Sequence, residues 1–140
     1  MMNVVFHPCG NATALFQKLN SALGYTLDRC DYVAEFIDDG RTVGISALTI
    51  TPYAVYLDIY APGFRLTRGV LNDYFRFVFT LRSHAMAIVS SANEHCIDFM
   101  MRLGFRIEGE LRHQFDGFNN EIYFGFSDEE YRQSDWFREK

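Results

Sequence analysis

Residues 93–112 read NEHCIDFMMRLGFRIEGELR, and this stretch decides the fold. Asn93 is a natural helix N-cap, because its side-chain oxygen can accept a backbone N–H left unpaired in the first turn. Cys96, Phe99, Met100 and Leu103 then recur at helical spacing and form one apolar face. Gly104 ends the helix. A strand is read over 105–115, a turn over Asp116-Gly117-Phe118-Asn119-Asn120, and a return strand over 121–126.

Working outward, residues 84–90, HAMAIVS, are a strand. Before it a helix runs from about Leu66 to Arg82, with Val70, Tyr74, Val78 and Leu81 at helical spacing and Leu71, Phe75 and Phe79 widening the stripe. Ala61-Pro62-Gly63 separates that helix from a strand over 53–60, YAVYLDIY, whose one charged side chain is Asp58. Strands 31–37 and 42–50 are joined by Asp38-Asp39-Gly40-Arg41, since Asp-Gly tolerates the positive φ of a tight hairpin. At the start, strand 2–7 ends at Pro8 and Gly10, and Asn11 caps a helix carrying Leu15, Leu19 and Ala22 that stops at Gly24. The polar tail 127–140 carries a Trp136-Phe137 pair and reads as a short docking helix. The order β-α, three-strand meander, α-β-α-β-β is mixed α/β, with one sheet and one domain over 1–140.

The bulk composition narrows the function classes. A chain of 140 residues, 49% hydrophobic, can bury a core without metal or disulfide. A formal charge of −5 makes it a poor non-specific binder of nucleic acid, which needs a basic face. Three cysteines (Cys9, Cys30, Cys96) without a CxxC pair, and four histidines without metal spacing, argue against a disulfide framework and a zinc site. No apolar run approaches the roughly 20 residues that span a bilayer. The expected setting is therefore the cytoplasm, or the host cytoplasm if the chain is viral.

Asn93, Phe99, Gly104, Phe105, Glu108, Gly109 and Arg112 sit at the spacing of a known motif. Together they resemble the N-x-x-A-x-x-[FL]-Y-x-x-x-G-F-x-x-E-G-x-x-R segment of the GCN5-related N-acetyltransferases (GNAT). The hairpin that follows is similar to the close of small acetyltransferase-like proteins of tailed bacteriophages. The resemblance implies a GNAT fold: a mixed sheet of six to seven strands in which parallel strands 53–60 and 84–90 splay apart. It implies acetyl-CoA as cofactor, with the backbone of Ile59 and Tyr60 meeting pantetheine as an added strand would. The pyrophosphate would meet Arg65, Arg68, Gly69 and Val70 at the following helix N-terminus, where N–H groups favour anions. Asn93 completes the cofactor-binding set. The reaction implied is direct attack of an amine on the thioester, with Asp58 and Tyr60 as the catalytic candidates and Asp58 as the base.

The match breaks at two places. The family's phosphate loop is [RQ]-x-x-G-x-[GA], and here Arg68 and Val70 stand at its two small positions, with Gly69 one place out of register. Met100 stands where many members carry a Tyr that protonates the leaving thiolate; Tyr60, Tyr74 and His95 are the substitutes within reach. Glu108 reads as structural and Cys96 as core. Two functions follow. One is an N-acyltransferase whose acceptor is a small-molecule or protein amine, chosen by loops 24–30 and 115–120. The other is a catalytically degenerate module of a bacteriophage that works through a protein partner. Phe118 and the Trp136-Phe137 pair are candidate interface rings for a homodimer.

Overall fold

A computed structural model of the protein describes residues 1–23, 27–61 and 66–134. Seven strands form one sheet in the order β1-β2-β3-β4-β5-β7-β6. β1 (Met2–Pro8), β2 (Tyr32–Asp38), β3 (Arg41–Ile50) and β4 (Val55–Tyr60) pair antiparallel in succession. β5 (His84–Ser90) lies parallel to β4. β7 (Glu121–Ser127) then inserts between β5 and β6 (Arg106–Leu111), antiparallel to both.

The strand alternation sorts side chains onto two faces. One face carries Val55, Leu57, Ala85, Ala87, Val89, Ile122, Phe124 and Phe126 and forms the main core with α2 (Arg68–Leu81) and α3 (Glu94–Leu103). On α2, Val70, Leu71, Tyr74, Phe75 and Val78 are the buried stripe. The other face is covered over β2 and β3 by α1 (Thr13–Leu23), with Leu19 packed among Val33, Ile45 and Ala47. The last helix, α4 (Asp128–Gln133), starts with a capping box in which Ser127 and Glu130 satisfy each other's backbone N–H groups. It docks Tyr131 against Phe75, Phe79 and Phe126, with the hydroxyl on Asn72. The tail is thus a docking helix over these six residues, while Trp136 and Phe137 lie outside the described residues.

Several boundaries differ from the sequence reading, each for a local reason. Asn11 does not cap α1; it closes a 3-10 turn, Cys9–Asn11, in which Ala12 donates to the Cys9 carbonyl at 3.1 Å. The strand expected over 53–60 begins at Val55, because the Thr51 N–H donates to the Ala54 carbonyl and the Ala54 N–H to the Thr51 hydroxyl, in a turn that leaves Tyr53 exposed. α2 begins at Arg68, capped by Thr67, whose hydroxyl accepts the Val70 N–H at 3.2 Å. β6 stops at Leu111 rather than 115, since residues 112–120 fold onto themselves and onto Ser91 through Asn120. Gly24, Pro62 and Gly63, read as breaks, lie outside the described residues.

Candidate functional site

β4 and β5 make only two register pairs, Val55 with Ala85 and Tyr56 with Met86. Yet β4 continues to Tyr60 and β5 to Ser90. The two parallel strands are therefore neighbours at their starts and separate beyond them. Past the last pair, the facing edges hold no ladder to each other. Backbone groups there need another partner, and an amide-bearing chain laid in the gap can supply it.

A cavity of about 620 Å³ opens onto this gap. Leu57 of β4 and Ile88 of β5 form its floor at the divergence. Tyr56 and Asp58 enter from β4, Glu121 from the start of β7, and Phe115 from the preceding loop. Asp58 pairs in register with Ala47, which packs under α1, so the cavity lies on the α1 side of the sheet. Leu27, Asp28, Arg29 and Thr49 close the remaining wall.

The wall is built by specific bonds. Asp31 fixes the loop from Leu27 to Arg29: its carboxylate accepts the Ile50 N–H at 2.6 Å and Arg29 at 3.1 Å. Arg29 also reaches the Ile50 carbonyl at 3.3 Å, so its charge is turned toward Asp31. Leu27 donates to the Asn20 side chain at 2.9 Å. On the opposite wall Asp116 holds the loop by accepting from Phe118 and Asn119; the Asn119 N–H, above all, keeps its carboxyl below the usual aspartate range. Tyr123 donates to Glu121 at 3.3 Å, and burial, followed by that carboxylate, pushes its phenol up.

The structure distributes the sequence candidates unevenly. Asp58 lines the cavity, and alternation puts Tyr56, Asp58 and Tyr60 on one face of β4. Tyr60 lies at the separated end of the strand, 37% exposed. Ile59 turns the other way, against the main core, so only its backbone can meet a ligand in the gap. Arg68 and Gly69 occupy the first turn of α2 and are exposed. Arg65 lies outside the described residues. Val70 follows in the same turn, with its side chain buried and its N–H donated to the Thr67 hydroxyl at 3.2 Å. Asn93 caps α3 through its oxygen, which accepts the Cys96 N–H at 3.1 Å, so any cofactor contact falls to its amide nitrogen.

The substitutes for a thiolate acid are also sorted. Met100 is 3% exposed and belongs to the main core, so the position does not open on the cavity. Tyr74 is fully buried and bonds Ser46 at 2.6 Å; burial pushes its phenol well up, and it cannot reach a substrate. His95 is exposed on α3. Glu108 has the structural role expected of it. It sits at the β6 bulge, lies over Gly125 and pairs with His84 at 3.1 Å. Among the described residues no cluster of His, Cys, Asp or Glu could hold a metal, and no helix is long and apolar enough to cross a membrane.

Sequence reasoning missed Tyr56, Asp28 and Glu121. Tyr56 was legible, because it stands two residues from Asp58 on a strand. Glu121 was not, because its place depends on β7 inserting beside β5.

A mixed sheet with one parallel pair opening at its centre is the fold of the GNAT acetyltransferases, and solved structures match it over nearly the whole chain. The spermidine/spermine N-acetyltransferase SpeG of Vibrio cholerae, in mutant form, superposes with a TM-score of 0.74 at 15% identity, covering 95% of this chain and 98% of that one. The acetyltransferase of GNAT family from Streptococcus pneumoniae gives 0.69 at 14%, covering 91% and 99%. YncA of Salmonella typhimurium, a structure with its cofactor acetyl-CoA, gives 0.66 at 14%, covering 91% and 94%. No family model and no curated protein sequence matches the chain. These structures come from bacteria and do not bear on the resemblance to bacteriophage proteins.

Proposed function

We propose that the protein is an acetyl-CoA-dependent N-acetyltransferase acting on a small cationic amine. The observation that carries this reading is the divergence of β4 and β5 onto a cavity walled by carboxylates. The edge of β4 would take the amides of pantetheine, and the first turn of α2 the pyrophosphate, with Arg68 adding charge. The exposed Gly69 has no described atom within 4 Å of where a Cβ would stand, which leaves room for phosphate oxygens. The amine would enter from the α1 side. Its nitrogen attacks the thioester carbonyl, the C–N bond forms, and the C–S bond breaks with release of the thiolate. Asp58, directly or through a water, receives the ammonium proton.

The acceptor class follows from the wall chemistry. Asp28, Asp58 and Glu121 give negative charge, while Leu27 and Ile88 give apolar surface. That alternation suits a chain of methylenes bearing more than one ammonium, as in spermidine, the substrate for which SpeG is named. Phe115 and Tyr56 add ring faces that attract an alkylammonium.

A second reading has its own support. Val70 in place of a small residue, and Met100 buried in place of a phenol, suit a module of bacteriophage type that has lost turnover and acts through a protein partner. Thiol release from acetyl-CoA with spermidine, a monoamine and a peptide separates the two. The enzyme reading expects release with the polyamine, and a drop of about 10²–10⁴-fold in kcat for Asp58→Asn. No release with any amine, and no stabilisation by acetyl-CoA, would end it.

A further inference from the structure

Cys9 and Cys30 are far apart in the chain and meet in the fold. Cys9 follows the last residue of β1 and its N–H donates to the Asp31 carbonyl at 3.0 Å, one step beyond the final β1–β2 register pair, Pro8 with Tyr32. Both side chains pack on the small core under α1, beside Leu19 and Val33. Both are free thiols, partly open to solvent, and the Cys9 thiol lies close enough to Cys30 to push it up. The third cysteine, Cys96, packs against the main core on the opposite face of the sheet.

The two thiols differ in how tightly they are held. Cys9 is fixed by the ladder and by the 3-10 turn, where its carbonyl accepts the Ala12 N–H. Cys30 ends the segment Leu27-Asp28-Arg29, which is a wall of the acceptor cavity.

We propose that Cys9 and Cys30 are a redox modification site: a low-molecular-weight disulfide such as oxidised glutathione converts them to an intramolecular disulfide that repositions the Asp28 wall. Cys9 attacks the small disulfide, forming a mixed disulfide and releasing one thiol. Cys30 then attacks the Cys9 sulfur, loses its proton and expels the second thiol. Two protein thiols and one small disulfide become one protein disulfide and two small thiols, so electrons balance. Burial, then the Cys9 thiol, raises Cys30 above the usual thiol range; the order is assigned from geometry, Cys9 being fixed in the ladder and Cys30 lying on the segment that moves. A disulfide brings sulfurs to about 2.05 Å, well inside the contact distance of two thiols. The ladder holds Cys9, so the segment bearing Cys30 makes the move.

The consequence for the amine rests on the acetyltransferase reading; the chemistry at sulfur does not, and intact mass tests it alone. The full chain is incubated with oxidised glutathione and then alkylated. The wild type should lose two hydrogens, leave only Cys96 alkylated and yield a Cys9–Cys30 linked peptide. Cys30→Ser should instead stop at one glutathionyl group on Cys9. A wild type that keeps the mixed disulfide, or leaves both thiols open to alkylation, overturns the site. In the same sample the KM for spermidine should rise several-fold and return with reductant, while the affinity for acetyl-CoA stays put. A linked peptide with unchanged KM overturns the repositioning. Failure of all turnover in the reduced protein sinks the acetyltransferase reading and leaves the mass result standing.

Discussion

Gly69→Ala is expected to move stability and cofactor affinity in opposite directions. Gly69 is the second residue of α2, exposed, with no described atom within 4 Å of an added Cβ. Without ligand the change should therefore be pure gain. Alanine in place of glycine is worth up to about 1 kcal/mol inside a helix, and roughly half of that is a fair figure in the first turn. For a chain of this size that is a rise of about 2 °C in Tm. With ligand the sign reverses if the cofactor lies as proposed, because no described atom stands near the new methyl and the pyrophosphate would meet it. At 100 times Kd, acetyl-CoA adds about 2.7 kcal/mol to the wild type. A tenfold loss of affinity removes about 1.4 kcal/mol and halves that increment. Thermal melts of both proteins with and without acetyl-CoA, at one ligand concentration, read both terms. An unchanged ligand increment in Gly69→Ala would show that phosphate does not approach this turn, and the cofactor placement would fall with it.

Three further outcomes follow. Gly44→Ala puts a Cβ 3.0 Å from that of Ala61 and 3.3 Å from the Tyr60 carbonyl, with no flexible tip to yield; it should cost about 1–3 kcal/mol in urea unfolding and weaken acetyl-CoA, since the yielding atoms end β4. A Tm at or above wild type would refute the packing. Tyr131→Phe removes the hydroxyl that Asn72 receives in the core, and should cost about 1–2 kcal/mol with the m-value unchanged; a neutral result would mean that α4 docks by its ring alone. Glu130 is held below its ordinary value of 4.5, chiefly by the Ser127 N–H. A depressed folded value gives stability that is present above pH 4.5 and fades as pH falls through the folded value. Glu130→Gln should flatten that acid limb of the Tm–pH curve, and a limb of unchanged slope would assign it to other carboxylates.

The local elements were legible because their signals are local. Asn93 and Gly104 bracket α3, as the cap and the left-handed residue that their chemistry allows, with Gly104 at φ 106°. Asp39 and Gly40 turn β2 into β3 with positive φ. The stripe Val70, Tyr74 and Val78 is the buried face of α2. The boundaries that slipped, at Asn11, Tyr53 and residues 112–115, are those where a backbone or side-chain bond to a neighbouring turn competes with the regular ladder.

The site was legible only in part. Asp58 was marked by its charge in an apolar strand, and its place in the cavity wall follows from that strand's position beside the gap. Met100 was read on the apolar face of α3, and the structure buries it in the main core. The cap of α2 was not legible either: Thr67 accepts the Val70 N–H, a bond that the family spacing alone did not show.

By itself the sequence determined the elements, their order, and the one strand that carries an acid toward a cleft. Those depend on neighbours within a few residues, where periodicity and turn chemistry act. Tertiary structure alone decided that β7 enters between β5 and β6, that Glu121 and Asp28 line one cavity with Asp58, and that Cys9 comes beside Cys30. Such pairs are tens of residues apart, and the free energy that joins them is the burial of whole sheet faces, which no short window of sequence contains.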